Sequence, residues 1–251
     1  MALLDIQNVT TKFGELVANN DVSFSIPKGS IVGLIGPNGA GKTTLFNCIS
    51  GLLKPSSGRM RFLDQDITGA PAYKVARLGA VRTFQVVHPL KDMTLLDNVL
   101  VGAFLREKHP HQAMDRALEC IQACGLSEYT YRPSGDLPIG LKKRLEVARA
   151  LATGPQLLML DECMAGLTST EVKESVDLIT SIRDQGVTLM IVEHIMEAIM
   201  PIADSIVVLD GGAKIAEGPP ERIIEDERVI AAYFGEKYSQ QVLKKERDTA
   251  P

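Results

Sequence analysis

Nine consecutive residues, Gly36-Pro37-Asn38-Gly39-Ala40-Gly41-Lys42-Thr43-Thr44, have the types and spacing to hold a phosphate. They follow G-x-x-x-x-G-K-[ST], the P-loop pattern. The flanks that pattern requires are present, with apolar Ile31-Val32-Gly33-Leu34-Ile35 before it and helical Leu45-Phe46-Asn47-Cys48 after it. Gly36, Gly39 and Gly41 let the backbone wrap tightly, so that successive N–H groups converge on phosphate oxygens at the positive end of a helix. Lys42 is expected to reach the β- and γ-phosphates, and the Thr43 hydroxyl to be a ligand to Mg²⁺. A glycine-rich turn with an accidental lysine is the bland alternative, and the matching flanks speak against it.

A second set of chemical groups stands at the ends of apolar runs. Gln156-Leu157-Leu158-Met159-Leu160-Asp161-Glu162 reads as a strand buried on both faces that finishes in two carboxylates. In a parallel sheet such ends form the ligand rim. There Asp161 is placed to hold the water shell of Mg²⁺, and Glu162 to polarise a water attacking the γ-phosphorus. An acid pair at a helix N-terminus is the structural alternative. Val187-Thr188-Leu189-Met190-Ile191-Val192-Glu193 is a similar strand ending at His194, which faces the same rim and could hydrogen-bond the γ-phosphate. Gln85 ends the strand Ala80-Val81-Arg82-Thr83-Phe84-Gln85 and could bind a metal or a water, although alone it is unremarkable. Phe13, in the turn Lys12-Phe13-Gly14, offers a ring on which a purine could stack, with ordinary packing as the alternative.

The elements that must position these groups are legible from periodicity. Leu4 to Val9 and Val22 to Ile26 alternate as half-buried strands, read as an antiparallel edge sheet. A strand is expected over Arg59 to Asp64 and a helix over Ala72 to Leu78. From Val86 to about Thr153 strands give way to helical spacing, with helices expected over Leu95 to Phe104, His111 to Cys124 and Leu141 to Ala152. Lys142-Lys143-Arg144 on the third helix reads as a solvated face. A helix over Ser169 to Gln185, a hairpin turning at Gly211-Gly212 and a terminal helical region from Pro219 to Phe234 follow, then a charged tail.

The chain has 251 residues, 45% of them hydrophobic, enough to fill a substantial core. A net charge of −4 argues against general affinity for nucleic acid. The four cysteines, Cys48, Cys120, Cys124 and Cys163, are too few for a disulfide framework, and they read as small buried apolar residues rather than as metal ligands. Met1-Ala2-Leu3-Leu4-Asp5 lacks a basic segment and a long apolar core, and no apolar run approaches the ~20 residues that span a bilayer. A cytoplasmic protein is therefore expected, with any membrane role coming through a partner.

The order P-loop, Gln85, helical insertion, Asp161-Glu162 and His194 resembles the nucleotide-binding subunit of ABC transporters over nearly the whole chain. The resemblance implies a P-loop NTPase of the ABC ATPase type: an α/β fold with a mostly parallel core sheet, an antiparallel β edge subdomain and an inserted helical subdomain. It implies one domain over 1–251, with core segments 1–85 and 154–235, helical subdomain 86–153 and tail 236–251. It implies ATP and Mg²⁺ as cofactors and a role for each matching residue. Phe13 would stack on adenine, and Gly36 to Thr44 would be the Walker A loop. Gln85 would sense Mg²⁺ and γ-phosphate, Asp161 would be the Walker B aspartate, Glu162 the catalytic glutamate, Ala165-Gly166-Leu167-Thr168 the D-loop and His194 the switch histidine.

Within that family the chain looks most like the LivG-type ATPases of branched-chain amino acid importers. The carrying segments are Arg82 to Gln85, Met93 to Leu100, Arg144 to Leu151 and Asp226 to Gly235. This implies an ATP-hydrolysing motor, peripheral on the inner face of the cell membrane. Its partners would be transmembrane permease subunits and a second ABC ATPase subunit, a heterodimer being preferred, with an extracytoplasmic solute-binding protein acting indirectly and no nucleic acid. The family signature L-S-G-G-Q is replaced by Leu137-Pro138-Ile139-Gly140-Leu141, so the serine hydroxyl and the glutamine are missing. Pro138 also lacks an N–H, leaving Gly140 and the helix dipole to act there. Cys163 stands where a proline is common, and Ile195 where an acid is common. The alternatives are a regulatory ABC subunit with weak hydrolysis, a soluble ABC ATPase outside transport, and a small-molecule P-loop kinase.

Overall fold

The structure, a computed structural model, describes residues 2–84 and 89–234. Gln85, Val86 and the tail from Gly235 onward lie outside the described residues, so the expectations that fall on them have no structural counterpart here.

Runs in which every residue is apolar can satisfy their backbone and bury both faces only as inner strands, and here they do. β3 (Ile31–Ile35), β6 (Ala80–Arg82), β7 (Leu157–Asp161), β8 (Thr188–Val192), β9 (Ser205–Asp210) and β10 (Ala213–Gly218) form one sheet in the order β10-β9-β3-β8-β7-β6. Its pairings are parallel except for the β9–β10 hairpin. Every residue of β3, β7 and β8 is buried. Successive side chains alternate between two cores, Val32, Leu34, Met159 and Met190 facing one and Ile31, Ile35, Leu158 and Leu189 the other.

The first core is closed by a second, antiparallel sheet and by one helix. β1 (Ala2–Phe13), β2 (Leu16–Pro27), β4 (Ser57–Phe62) and β5 (Gln65–Asp66) pair in the order β2-β1-β4-β5. Their i, i+2 residues, such as Val22, Phe24 and Ile26, or Met60 and Phe62, point inward beside Leu45, Phe46 and Ile49 of α1 (Lys42–Ile49). Each such large apolar side chain stabilises the fold by up to about 1.5–3 kcal/mol. The sheet is longer than alternation alone suggested: β1 runs on to Phe13, and β4 begins at Ser57. Leu63 and Asp64, expected to extend that strand, instead adopt positive φ in a turn.

The second core receives α3 (Leu95–Ala103), α4 (Pro110–Ala123), α5 (Ile139–Ala152), α6 (Ser169–Asp184) and α7 (Met196–Ile199). α2 (Ala72–Leu78) leads into β6, and α8 (Pro220–Ile224) and α9 (Glu227–Phe234) follow β10. α3 starts on a capping box in which the Asp97 N–H donates to Thr94 Oγ1 at 3.1 Å and the Thr94 N–H to Asp97 Oδ2 at 3.2 Å. α5 begins two residues before the expected Leu141, because Pro138 has its φ fixed at −56° and serves as the N-cap. α3 meets α5 so closely that a Cβ on Gly102 would lie 2.2 Å from the Arg149 carbonyl oxygen.

The solvated face expected at Lys142-Lys143-Arg144 is corrected by this packing. Lys142 Nζ donates to the Gly135 carbonyl at 2.8 Å, Lys143 Nζ donates to the Glu162 and Ala165 carbonyls, and Arg144 pairs with Glu174. That side of α5 lies against turns whose carbonyls have no ladder partner, and cationic donors satisfy them.

Candidate functional site: a phosphate cradle facing a carboxylate rim

The register of the core sheet decides which side chains meet. Leu34 of β3 is level with Val192 of β8, and Val192 with Asp161 of β7. The residues that follow each strand, Gly36 onward, Glu193-His194 and Glu162, therefore emerge along one carboxyl edge.

On the β3 side the loop is wedged between two other strands. A Cβ on Gly36, where φ is 148°, would lie 2.0 Å from the Leu209 carbonyl oxygen of β9, and one on Gly41, where φ is 94°, would lie 2.3 Å from the Ala18 carbonyl oxygen of β2. Only glycine fits either place. Asn19, wholly buried, donates from Nδ2 to the Gly41 carbonyl at 3.1 Å and ties β2 to the start of α1. Lys42 is 6% exposed and bends back over the loop, its Nζ donating to the Gly36 and Pro37 carbonyls at 2.7 and 2.9 Å. An ammonium has three donors, so one remains for a bound anion. Burial lowers the Lys42 pKa, while the Glu162 and then the Asp161 carboxylates act in the opposite direction.

A cleft of about 440 Å³ runs from Phe13, Leu16 and Val17 along residues 38–44 to Glu162 and His194. Phe13, expected in a turn, is the last residue of β1 and half-exposed, its ring forming one apolar end of the cleft. Asn38, Gly39, Ala40, Gly41, Lys42, Thr43 and Thr44 line its middle. At the far end His194 Nε2 lies 2.9 Å from Glu162 Oε1. Glu162 holds φ at 49°, a left-handed conformation that its chain neighbours do not explain.

Asp161 is buried behind this rim, 2% exposed, and its Oδ2 accepts from Arg82 Nη2 at 2.7 Å. Burial raises its pKa, and Arg82 opposes that shift. Arg82 is held in turn by Asn47 Oδ1 at 2.6 Å and by the Phe84 ring, 4.9 Å below its guanidinium. The second oxygen, Asp161 Oδ1, is buried without a hydrogen-bond partner among the described residues. An orphaned carboxylate oxygen together with the Thr43 hydroxyl is a donor set that fits a hard divalent cation.

Three groups that matter here carried no motif. Arg82 and Glu193 are ionisable residues inside apolar runs, a signal in itself. Glu193 is 1% exposed and accepts from the Met164 N–H at 2.7 Å and the His194 N–H at 3.3 Å. Lys143 left no signal, because helical spacing does not say which loop a helix will cover.

The comparisons with known proteins agree with this geometry. The sequence profile described as ABC transporter matches residues 19–165, and that described as branched-chain amino acid ATP-binding cassette transporter matches residues 213–239. The chain is 40% identical to the high-affinity branched-chain amino acid transport ATP-binding protein BraF of Pseudomonas aeruginosa, over 93% of this chain and 98% of that protein. It is also 40% identical to the LivG protein of the same description from Escherichia coli K12, again over 93% and 98%. A solved ABC transporter cassette in its ADP conformation superposes with a TM-score of 0.85 at 33% identity, covering 94% of this chain and all of that one. A chain with this P-loop, this carboxylate rim and these relatives belongs to the ABC transporter family of ATP-binding cassettes.

Proposed function

We propose that this cassette hydrolyses ATP to drive an importer of branched-chain amino acids, with Glu162 as the residue that orients the attacking water. The observation that carries the reading is the Glu162–His194 contact of 2.9 Å at the end of the cleft that the P-loop lines. The Gly39 to Thr44 backbone and the Lys42 ammonium would hold the phosphates, with the base on the ring of Phe13. Thr43 and Asp161 would hold Mg²⁺, which when bound supplies a double positive charge to the phosphate oxygens. Glu162 would accept a proton from the water whose oxygen bonds to the γ-phosphorus while the bond to the β-γ bridging oxygen breaks, releasing ADP and phosphate, and His194 would keep that carboxylate aimed. General-base assistance of this kind contributes about 10²- to 10⁴-fold. Gln85, assigned to Mg²⁺ and γ-phosphate sensing, lies outside the described residues.

The solute follows from the relatives' descriptions and from the second profile, which covers β10 to the end of α9. Among the described residues no helix is long and apolar enough to cross a membrane. The cassette would therefore sit on the cytoplasmic face through permease subunits, beside a second, related ATPase subunit, with a solute-binding protein acting on the opposite side. The single domain is read as a core of 1–85 and 154–235 that carries the helical segment 86–153 as its contact with the permease. A regulatory subunit with weak hydrolysis is the second reading, favoured by Pro138 at the N-cap of α5, which makes no side-chain cap.

The test is uptake of labelled leucine by cells carrying the wild-type chain or Lys42→Ala in place of the chromosomal copy. Lys42→Ala should weaken nucleotide binding by about 10²-fold, through loss of a charged hydrogen bond, and abolish leucine uptake while glutamine uptake continues. Normal leucine uptake with Lys42→Ala would overturn the transport assignment. Purified wild-type chain that binds ATP but releases no phosphate would favour the regulatory reading.

A further inference from the structure

Lys143 belongs to no motif, yet it touches the backbone of the residue on which hydrolysis is proposed to depend. α5 turns Gly140, Lys143, Arg144 and Val147 toward β7 and α6, at i, i+3, i+4 and i+7. A Cβ on Gly140 would lie 2.4 Å from Glu171 Oε1, Arg144 pairs with Glu174, and Val147 lines a small gap with Cys163 and Ile179. In the middle of this seam Lys143 Nζ donates to the Glu162 carbonyl at 3.0 Å and to the Ala165 carbonyl at 2.5 Å.

Those two carbonyls belong to the first and last residues of one tight turn, in which the Ala165 N–H also donates to the Glu162 carbonyl at 3.3 Å. Glu193 grips the same turn from the other side through the Met164 N–H. Glu162 sits at φ 49°, a left-handed conformation that a non-glycine residue keeps only when its surroundings fix it.

We propose that Lys143 is a positioning residue for hydrolysis: by bridging the Glu162 and Ala165 carbonyls it fixes the left-handed turn that carries the Glu162 carboxylate to His194. The seating of α5 then sets turnover and leaves ATP binding alone. Since α5 begins within the altered signature segment, the same contact joins that segment to the water-orienting group. The inference rests on the reading of Glu162 given above.

The full-length chain tests it as Lys143→Met, Lys143→Arg, Glu162→Gln and the Lys143→Met/Glu162→Gln double variant. Phosphate release, affinity for a fluorescent ATP analogue and thermal midpoint are read for each. Lys143→Met should lower kcat by about tenfold, as small misplacements of reacting groups do, with nucleotide affinity within about twofold. Lys143→Arg should restore most of the rate, and Lys143→Met should remove nothing further from Glu162→Gln. Lys143→Gln, which keeps a donor for one carbonyl, serves if the methionine variant unfolds and should lose less than tenfold. An unchanged kcat, a parallel loss of affinity, or an additive loss in the double variant would overturn the inference. If Glu162→Gln itself turned over at the wild-type rate, the reading of Glu162 would fall first, and the two failures are thereby separated.

Discussion

The P-loop and the turn at residues 162–165 stand at the same edge of one sheet, two strands apart, and are held in opposite ways. The P-loop is fixed by its own backbone and by closeness: Gly36 lies against the Leu209 carbonyl, Gly41 against the Ala18 carbonyl, and the Lys42 side chain closes back onto the loop that carries it. The 162–165 turn has little local support. Its backbone is gripped by Lys143 from α5 and by Glu193 from the end of β8, and the carboxylate beside it is neutralised by Arg82 from β6. One region admits no added atom at Gly36 or Gly41, and the other depends on charged side chains from elsewhere. On the proposed roles, a loop that holds phosphate gains from being rigid, whereas a water-orienting group whose turn is held from two other elements can respond when those elements move.

The largest effect should come from the charge-held side. Arg82→Met leaves Asp161 buried and unpaired, and should cost about 3–5 kcal/mol in urea unfolding. Arg59→Met, which removes an exposed partner of Asp66, should leave the unfolding midpoint nearly unchanged, because solvent screens that pair. Equal costs would show that burial of the Arg82–Asp161 pair does not matter.

Next comes the closeness-held side. Gly36→Ala must push the Leu209 carbonyl away from an atom 2.0 Å distant, and should cost about 2–4 kcal/mol together with nucleotide binding. Gly39→Ala has nothing within 4 Å, so only its φ of 83° opposes it, and about 1 kcal/mol is expected. Unfolding midpoints for the pair should separate clearly, and identical values would mean that backbone conformation alone sets the cost.

The smallest effect is a pH dependence. Burial raises the thiols of Cys48 beside Thr11, of Cys163 beside Glu193 and of Cys124, the last to about 12. The folded chain thus favours the neutral thiol, and stability from Cys124 is full below the ordinary value of 9.0 and falls as pH rises toward 12. A thiolate absorbance titration of the native chain should show no inflection near pH 9, because the buried thiols stay protonated there. An inflection near pH 9 in the native chain would show that the thiols are solvated.

This contrast also explains what the sequence made legible. The P-loop could be read in full, since a locally held structure writes its requirements in adjacent residues. Asp161, Glu162 and His194 could be read because they close apolar strands, where a charge has to have a reason. Arg82 and Glu193 gave the same signal more faintly, as charges within apolar runs, but their partners lie on other elements. Lys143 reads from sequence as part of a solvated face, because helical periodicity leaves open which side of a helix finds cover. The sheet order, which brings β3, β8 and β7 side by side, depends on pairings that no local pattern states.

The most direct measurement takes ATP affinity and phosphate release on one preparation of Glu162→Gln. The account predicts ATP binding within about twofold of wild type and hydrolysis reduced by at least about 10²-fold. Phosphate release at the wild-type rate would contradict it.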